Sequence, residues 1–280
     1  MTPSKVASWA RHAHARTVLE EVLRVCAKSG IDVVPVKGIL TARWLYEDPS
    51  ERWIQDIDLR VVPGDMRSLK KAGIRAGWRV LDWSPIYRNI VFDVQGMMAE
   101  FEAHIGPRGV CALPVSEVLS RATEHTEPFG FSHLQPELHD HALLLVLNVF
   151  KDKVVEASAG AVHDLERIAR LSEFDAHRLA TLAKNSGVAT VAFIVAQWLV
   201  RDRGASAWIP VLQALGPPPR NHYAALFRRL MTRPDSLGLR LLARAASDRK
   251  VKQVLATGTM IAWIFERAVL AKPFGSGHLD

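Results

Sequence analysis

The segment Val36–Val61, VKGILTARWLYEDPSERWIQDIDLRV, decides the fold class, because its end reads as a strand carrying two carboxylates on one face. Over Asp56-Ile-Asp-Leu-Arg-Val61 polar and apolar side chains alternate, and a period of two marks a half-buried strand. Alternate side chains share a face, so Asp56 and Asp58 project the same way, roughly 6–7 Å apart at the backbone. Two carboxylates so placed can converge on a divalent cation, and Mg2+ prefers oxygen ligands. The pair alone is weak. Chance supplies about one Asp-x-Asp in a chain of this composition, and polar strand edges carry such pairs without any ion.

Working outward, Ile31-Asp-Val-Val-Pro-Val36 follows Ser29-Gly30 and reads as a short buried strand. It runs into Lys37-Gly38 and a helical stretch from Ile39 to Tyr46. A strand–glycine–helix junction lets backbone approach a phosphate closely, and Lys37 adds a point charge there. Lys-Gly before a helix is also an ordinary turn. No Walker loop and no G-x-G-x-x-G occurs. Downstream, Asn89–Val94 and Met97–His104 flank Gln95-Gly96 and read as a hairpin, with Glu100, Glu102 and His104 on one face of the second arm. A neighbouring strand lies about 4.8 Å away, so an acid from this arm could join Asp56 and Asp58. Geometry alone does not choose between Glu100 and Glu102.

The organisation changes near residue 110. Before it, helical and strand patterns alternate: a long helix near Lys5–Lys28, the first strand, a helix, the aspartate strand, a helix near Asp65–Ala76 opening after Pro63, then Trp78–Asp82 and the hairpin. From about 115 onward nearly every apolar pattern has the helix period: 137–153, 162–171, 176–184, 188–201, 209–215, 223–229, 237–246 and 251–270. The expected fold is α+β: a small mixed-sheet domain at 1–110, then an all-α domain at 111–280. Pro217-Pro-Pro219 reads as a stiff connector, and Pro273–Asp280 as a mobile tail.

With 49% apolar and 23% charged residues, the composition is that of a soluble globular protein. Cys26 and Cys111 suggest neither a disulfide framework nor a zinc site. The first residues lack a signal-peptide apolar core, and the longest apolar runs fall well short of a membrane span. The expectation is a cytoplasmic protein with no membrane partner. The net charge of +7 raises nucleic acid as a partner, with basic residues concentrated late, from Arg201 to Lys252. Solvated basic helix faces are the commoner explanation of such a concentration. His139-Asp-His141 opens a helix, where residues two apart do not share a face, and so does not read as a metal site; His12 and His14 meet the same objection.

The run Val36-Lys-Gly-Ile-Leu, Leu45-Tyr, Asp48-Pro, Arg52 and Asp56-Ile-Asp-Leu resembles the bacterial uncharacterised nucleotidyltransferase family of the polymerase-β-like superfamily. Glu102-Ala-His104 is similar to the family's acid-x-His strand, and Asp164 to an aspartate of a Leu-rich helix. The likeness is specific over about 30–105 and loose over 130–175. Two positions depart from it: Gln55 where the family usually has Gly, and Asn148 where relatives tend to have His.

The resemblance implies two-metal nucleotidyl transfer, with Mg2+ (or Mn2+) and an NTP, ATP foremost. Asp56 and Asp58 would hold one metal, and Glu102, favoured over Glu100 by the acid-x-His match, would help hold the other. Lys37, Gly38 and Arg52 would meet the triphosphate, although Arg52 could equally pair with Asp48 or Glu51. Asn148, Lys151 and Asp164 would line the cleft, with charge stabilisation at a helix start the rival role for Asp164. An NMP (or phosphoryl) group would pass to a hydroxyl on a small molecule, peptide or RNA. The alternative is a non-catalytic nucleotide- or RNA-binding module on a transferase fold, for which clustered acids near phosphates serve no purpose. Nothing in the sequence indicates the oligomeric state.

Overall fold

A computed structural model describes residues 4–151, 159–219, 224–225 and 246–269. Helix α1 (Lys5–Lys28) begins at Ser4, whose hydroxyl accepts the Ala7 N–H, and ends before Gly30, at φ +66°. Its buried residues, from His12 through Ala15, Leu19, Val22 and Cys26, recur every three or four positions and form one apolar stripe. Strand β1 (Val33–Val36), helix α2 (Gly38–Trp44), strand β2 (Asp56–Val61) and helix α3 (Met66–Arg75) follow. Strands β3 (Arg79–Ser84), β4 (Asn89–Val94) and β5 (Met97–Glu102) complete the sheet. The β4–β5 turn has Gln95 and Gly96 both at positive φ, which matches the right-handed twist of a tight hairpin.

The sheet order is β1-β2-β5-β4-β3, with β2 and β5 parallel and the remaining pairs antiparallel. Val36 lies opposite Asp58, Asp58 opposite Glu100, and Arg60 opposite Glu102. One sheet face carries Ile57, Leu59, Phe92 and Phe101 into a core shared with Val18, Leu19 and Val22 of α1. The other face carries the acids. Val33 belongs to the first core, whereas Val34 and Val36 belong to a second core built around Leu143–Leu147. β1 therefore joins two apolar clusters through its alternating side chains.

Helices α4 (Val115–Arg121), α5 (Leu138–Lys151), α6 (Ala159–Ile168), α7 (Ala176–Asn185), α8 (Ala189–Arg203), α9 (Ile209–Leu215) and α10 (Lys250–Val269) follow. The second half is not wholly helical: β6 (Thr123–His125) pairs antiparallel with β7 (His133–Gln135). Three-residue strands are too short for an alternation signal, which is why only helices were expected there. The helices expected at 223–229 and 237–246, and the tail, lie outside the described residues except at their margins. No helix among the described residues is long and apolar enough to cross a membrane.

Candidate active site

Asp56, Asp58 and Glu100 each present a carboxylate oxygen within 4.8 Å of the others, on one face of two adjacent strands. The parallel register produces this cluster by setting Glu100 directly beside Asp58. Crowding of like charge in a buried place shows in their protonation. Burial first and then Asp58 push the Asp56 carboxyl up to about 6, and burial and then Glu102 push Glu100 up to about 7. Three carboxylate oxygens crowded in this way fit a hard divalent cation.

Glu102, which the acid-x-His match favoured, lies outside that cluster. One register step along, it faces Arg60, and the two form a buried ion pair at 2.5 Å. Burial opposes the Glu102 charge, but Arg60, His104 and Lys37 outweigh it and hold the carboxyl well below its usual range. Glu100 and Glu102 share a face, so only the register between β2 and β5 separates them. His104 is half-buried, its Nδ1 2.5 Å from the Gly106 carbonyl, and desolvation lowers its pKa to about 4.

Lys37 reaches the cluster from the β1–α2 turn, its Nζ donating to Asp58 Oδ1 at 2.5 Å. Burial works against its charge, but Asp58, Glu102 and Glu100 overcome that and raise its pKa. Its backbone sits at φ 55°, ψ −139°, a conformation that residues with a side chain rarely adopt and that costs about 1–3 kcal/mol. The Lys37 N–H donates to His141 Nε2 at 3.1 Å, and the Lys37 carbonyl accepts from Thr41 N at 2.7 Å. Because α2 has only seven residues, the positive charge at this turn comes chiefly from the ammonium. Lys151, at the end of α5, adds to the positive field on Asp56, Glu100 and Glu102. Asn148 is half-buried on α5, one heptad beyond His141 and so on the same side of the helix.

Arg52 pairs with neither Asp48 nor Glu51. Asp48 binds Lys5, and Glu51 binds Arg167. Instead, Arg52 Nε donates to both Asp164 oxygens, at 3.1 and 3.0 Å, and its Nη1 donates to the Trp53 carbonyl at 2.6 Å. Tyr46 donates to Asp164 at 2.8 Å, so Asp164, fully buried in mid-α6, closes a three-residue network rather than stabilising a helix start. Gly38 and Gly160 leave room for the guanidinium: a Cβ on Gly160 would lie 2.5 Å from Arg52 Nη1. On α1, His12 Nε2 donates to the Arg52 carbonyl at 2.8 Å. Arg60, His141, Tyr46 and Gly160 were not expected at the site. Their partners lie up to 118 residues away in the chain, beyond any local pattern. His139 turns away to accept the Asp175 N–H, so the two histidines of His139-Asp-His141 diverge. A cleft of about 380 Å3 lined by Leu45, His163, Glu166, Arg167, Arg170 and Leu171 opens beyond the other end of α2, and none of the acids lines it.

Residues 3–201 match the sequence family described as uncharacterised nucleotidyltransferase. A search of curated proteins finds no match. Among solved structures, the solution structure of the antibiotic-resistance factor ANT(2'')-Ia is similar at 13% identity and a TM-score of 0.45, over 78% of this chain and 97% of that one.

Proposed function

The chain belongs to the uncharacterised nucleotidyltransferase family, and from that membership we propose a metal-dependent enzyme that moves an NMP group from an NTP, ATP foremost, to a hydroxyl on a small molecule, peptide or RNA. The supporting observation is the meeting of Asp56, Asp58 and Glu100 beside the Lys37 ammonium. In this reading the three acids hold Mg2+ (or Mn2+). When bound, such cations neutralise the phosphates and stabilise the attacking and leaving oxygens of an in-line displacement. The acceptor hydroxyl gives up its proton to solvent as its oxygen bonds the α-phosphorus, the bond from the α-phosphorus to the bridging oxygen breaks, and pyrophosphate leaves carrying that oxygen and the bonding electron pair. Lys37 supplies a phosphate contact, exchanging its hold on Asp58 for the nucleotide. Lys151 and Asn148 line the cleft from α5. Arg52 and Asp164 support the Lys37-Gly38 turn from behind, and Glu102 keeps Arg60 neutralised under the cluster. Residues 1–110 carry the transfer chemistry, and the described helices after residue 110 supply a wall beside it.

Positioning and charge neutralisation are what phosphoryl chemistry asks of a protein, and clustered acids have no use in a module that only binds phosphate. The test is thermal stabilisation by ATP, GTP, CTP and UTP, with and without Mg2+, in the wild type and Asp58→Ala. Stabilisation that requires metal and weakens in the variant is expected. Metal-independent stabilisation that survives Asp58→Ala would instead identify a binding module.

A further inference from the structure

We propose that His141, on α5, is a positioning residue that aims the Lys37 amine at the nucleotide. The β1–α2 turn puts Lys37 in a backbone conformation that its own sequence does not favour, so something else must hold it there. The Lys37 N–H donates to His141 Nε2 at 3.1 Å, across 104 residues of chain. That bond requires Nε2 to be unprotonated, so in the neutral ring the proton sits on Nδ1. Nδ1 is buried and lacks a hydrogen-bond partner. Most buried polar groups are partnered, so the bond through Nε2 is the one hydrogen bond this buried ring makes. The ring is 1% exposed and stacked on Trp44 at 5.5 Å with planes 8° apart, which fixes the direction of Nε2. The same peptide unit therefore receives its orientation from α5, while its side chain ends on Asp58. Turning that peptide would swing the ammonium away from the acids.

The nucleotide part of this inference rests on the transfer reading; the positional part does not. Two nearly isosteric variants separate them. In His141→Gln the amide oxygen reaches the place of Nε2 and can accept the Lys37 N–H. In His141→Asn it stops at the place of Nδ1. Two readouts apply to folded protein: the acylation rate of the Lys37 amine, followed by mass spectrometry, and the Kd for Mg–ATP. The expectation is that His141→Asn raises both about tenfold, the worth of one lost buried hydrogen bond, whereas His141→Gln stays near wild type. Equal behaviour of the two variants, or no change in Lys37 acylation in His141→Asn, would overturn the proposal. If the wild type binds none of ATP, GTP, CTP and UTP with Mg2+, the transfer reading fails and the acylation contrast still decides the role of His141. Should neither variant fold, nitrogen NMR of the wild type decides: an Nδ1–H tautomer with coupling from the Lys37 N–H to Nε2 supports the proposal, and an Nε2–H tautomer refutes it.

Discussion

At the scale of residues, the two glutamates of β5 take different surroundings although one position divides them. Glu100 sits among like charges, and Glu102 neutralises a buried arginine. Glu100→Gln is expected to abolish metal-dependent nucleotide stabilisation while leaving the fold intact. Glu102→Ala strands Arg60 without its partner and is expected to destabilise the protein by about 3–5 kcal/mol, measured by urea denaturation. The reverse pattern would return the ligand role to Glu102. A pH dependence follows from the same cluster. With Asp56 near 6 and Glu100 near 7, above ordinary carboxyl values, the native state binds more protons than the unfolded chain between about pH 4 and 7. Stability from these two groups therefore falls as pH rises through that window, when they must ionise side by side. Buried His12 and His141, held below their ordinary values, act in the opposite sense. The difference in stability between wild type and Asp56→Asn/Glu100→Gln isolates the acids: without metal, the double variant should gain on the wild type as pH rises from 4 to 8. A flat difference would contradict the crowding.

At the scale of elements, the Lys37-Gly38 turn carries the ammonium to the acids, and the Arg52 guanidinium, paired with Asp164 of α6, lies against Gly38. Gly160 matters because a methyl group there meets a guanidinium already pinned to Asp164 and the Trp53 carbonyl, with nowhere cheap to move. Gly160→Ala is expected to cost about 1–3 kcal/mol in urea denaturation; an unchanged midpoint would show that Arg52 is free to shift. The elements themselves were largely legible. Alternation marked β2, the Gln95-Gly96 turn marked the hairpin, and helical periodicity marked α1 and most helices after 115, because these signals are local. Which glutamate lies beside the two aspartates was not legible locally. Glu100 and Glu102 share a face, and the register of two strands joined through α3, β3 and β4 is set by the sheet as a whole. The partners of Arg52 and the Lys37–His141 bond likewise join segments that no spacing rule connects.

At the scale of the whole molecule, the acid-bearing sheet face and the helical wall share one structural strand. Val34 and Val36 lie in the core of α5, while Val33 lies in the core of α1. A fragment of residues 1–110 would expose that second apolar face to water. It is expected to bind a hydrophobic dye and to unfold without a cooperative transition, while the intact chain does neither; cooperative unfolding of the fragment would show the sheet half to be self-sufficient. The central claim, that Asp56, Asp58 and Glu100 together hold the cation of a bound nucleotide, is tested most directly by crystals grown with Mn2+ and a non-hydrolysable ATP analogue. The account predicts an anomalous manganese peak about 2.0–2.2 Å from oxygens of all three carboxylates, with the analogue's phosphates beside Lys37. Nucleotide density with manganese elsewhere, or with the three acids unliganded, would contradict it.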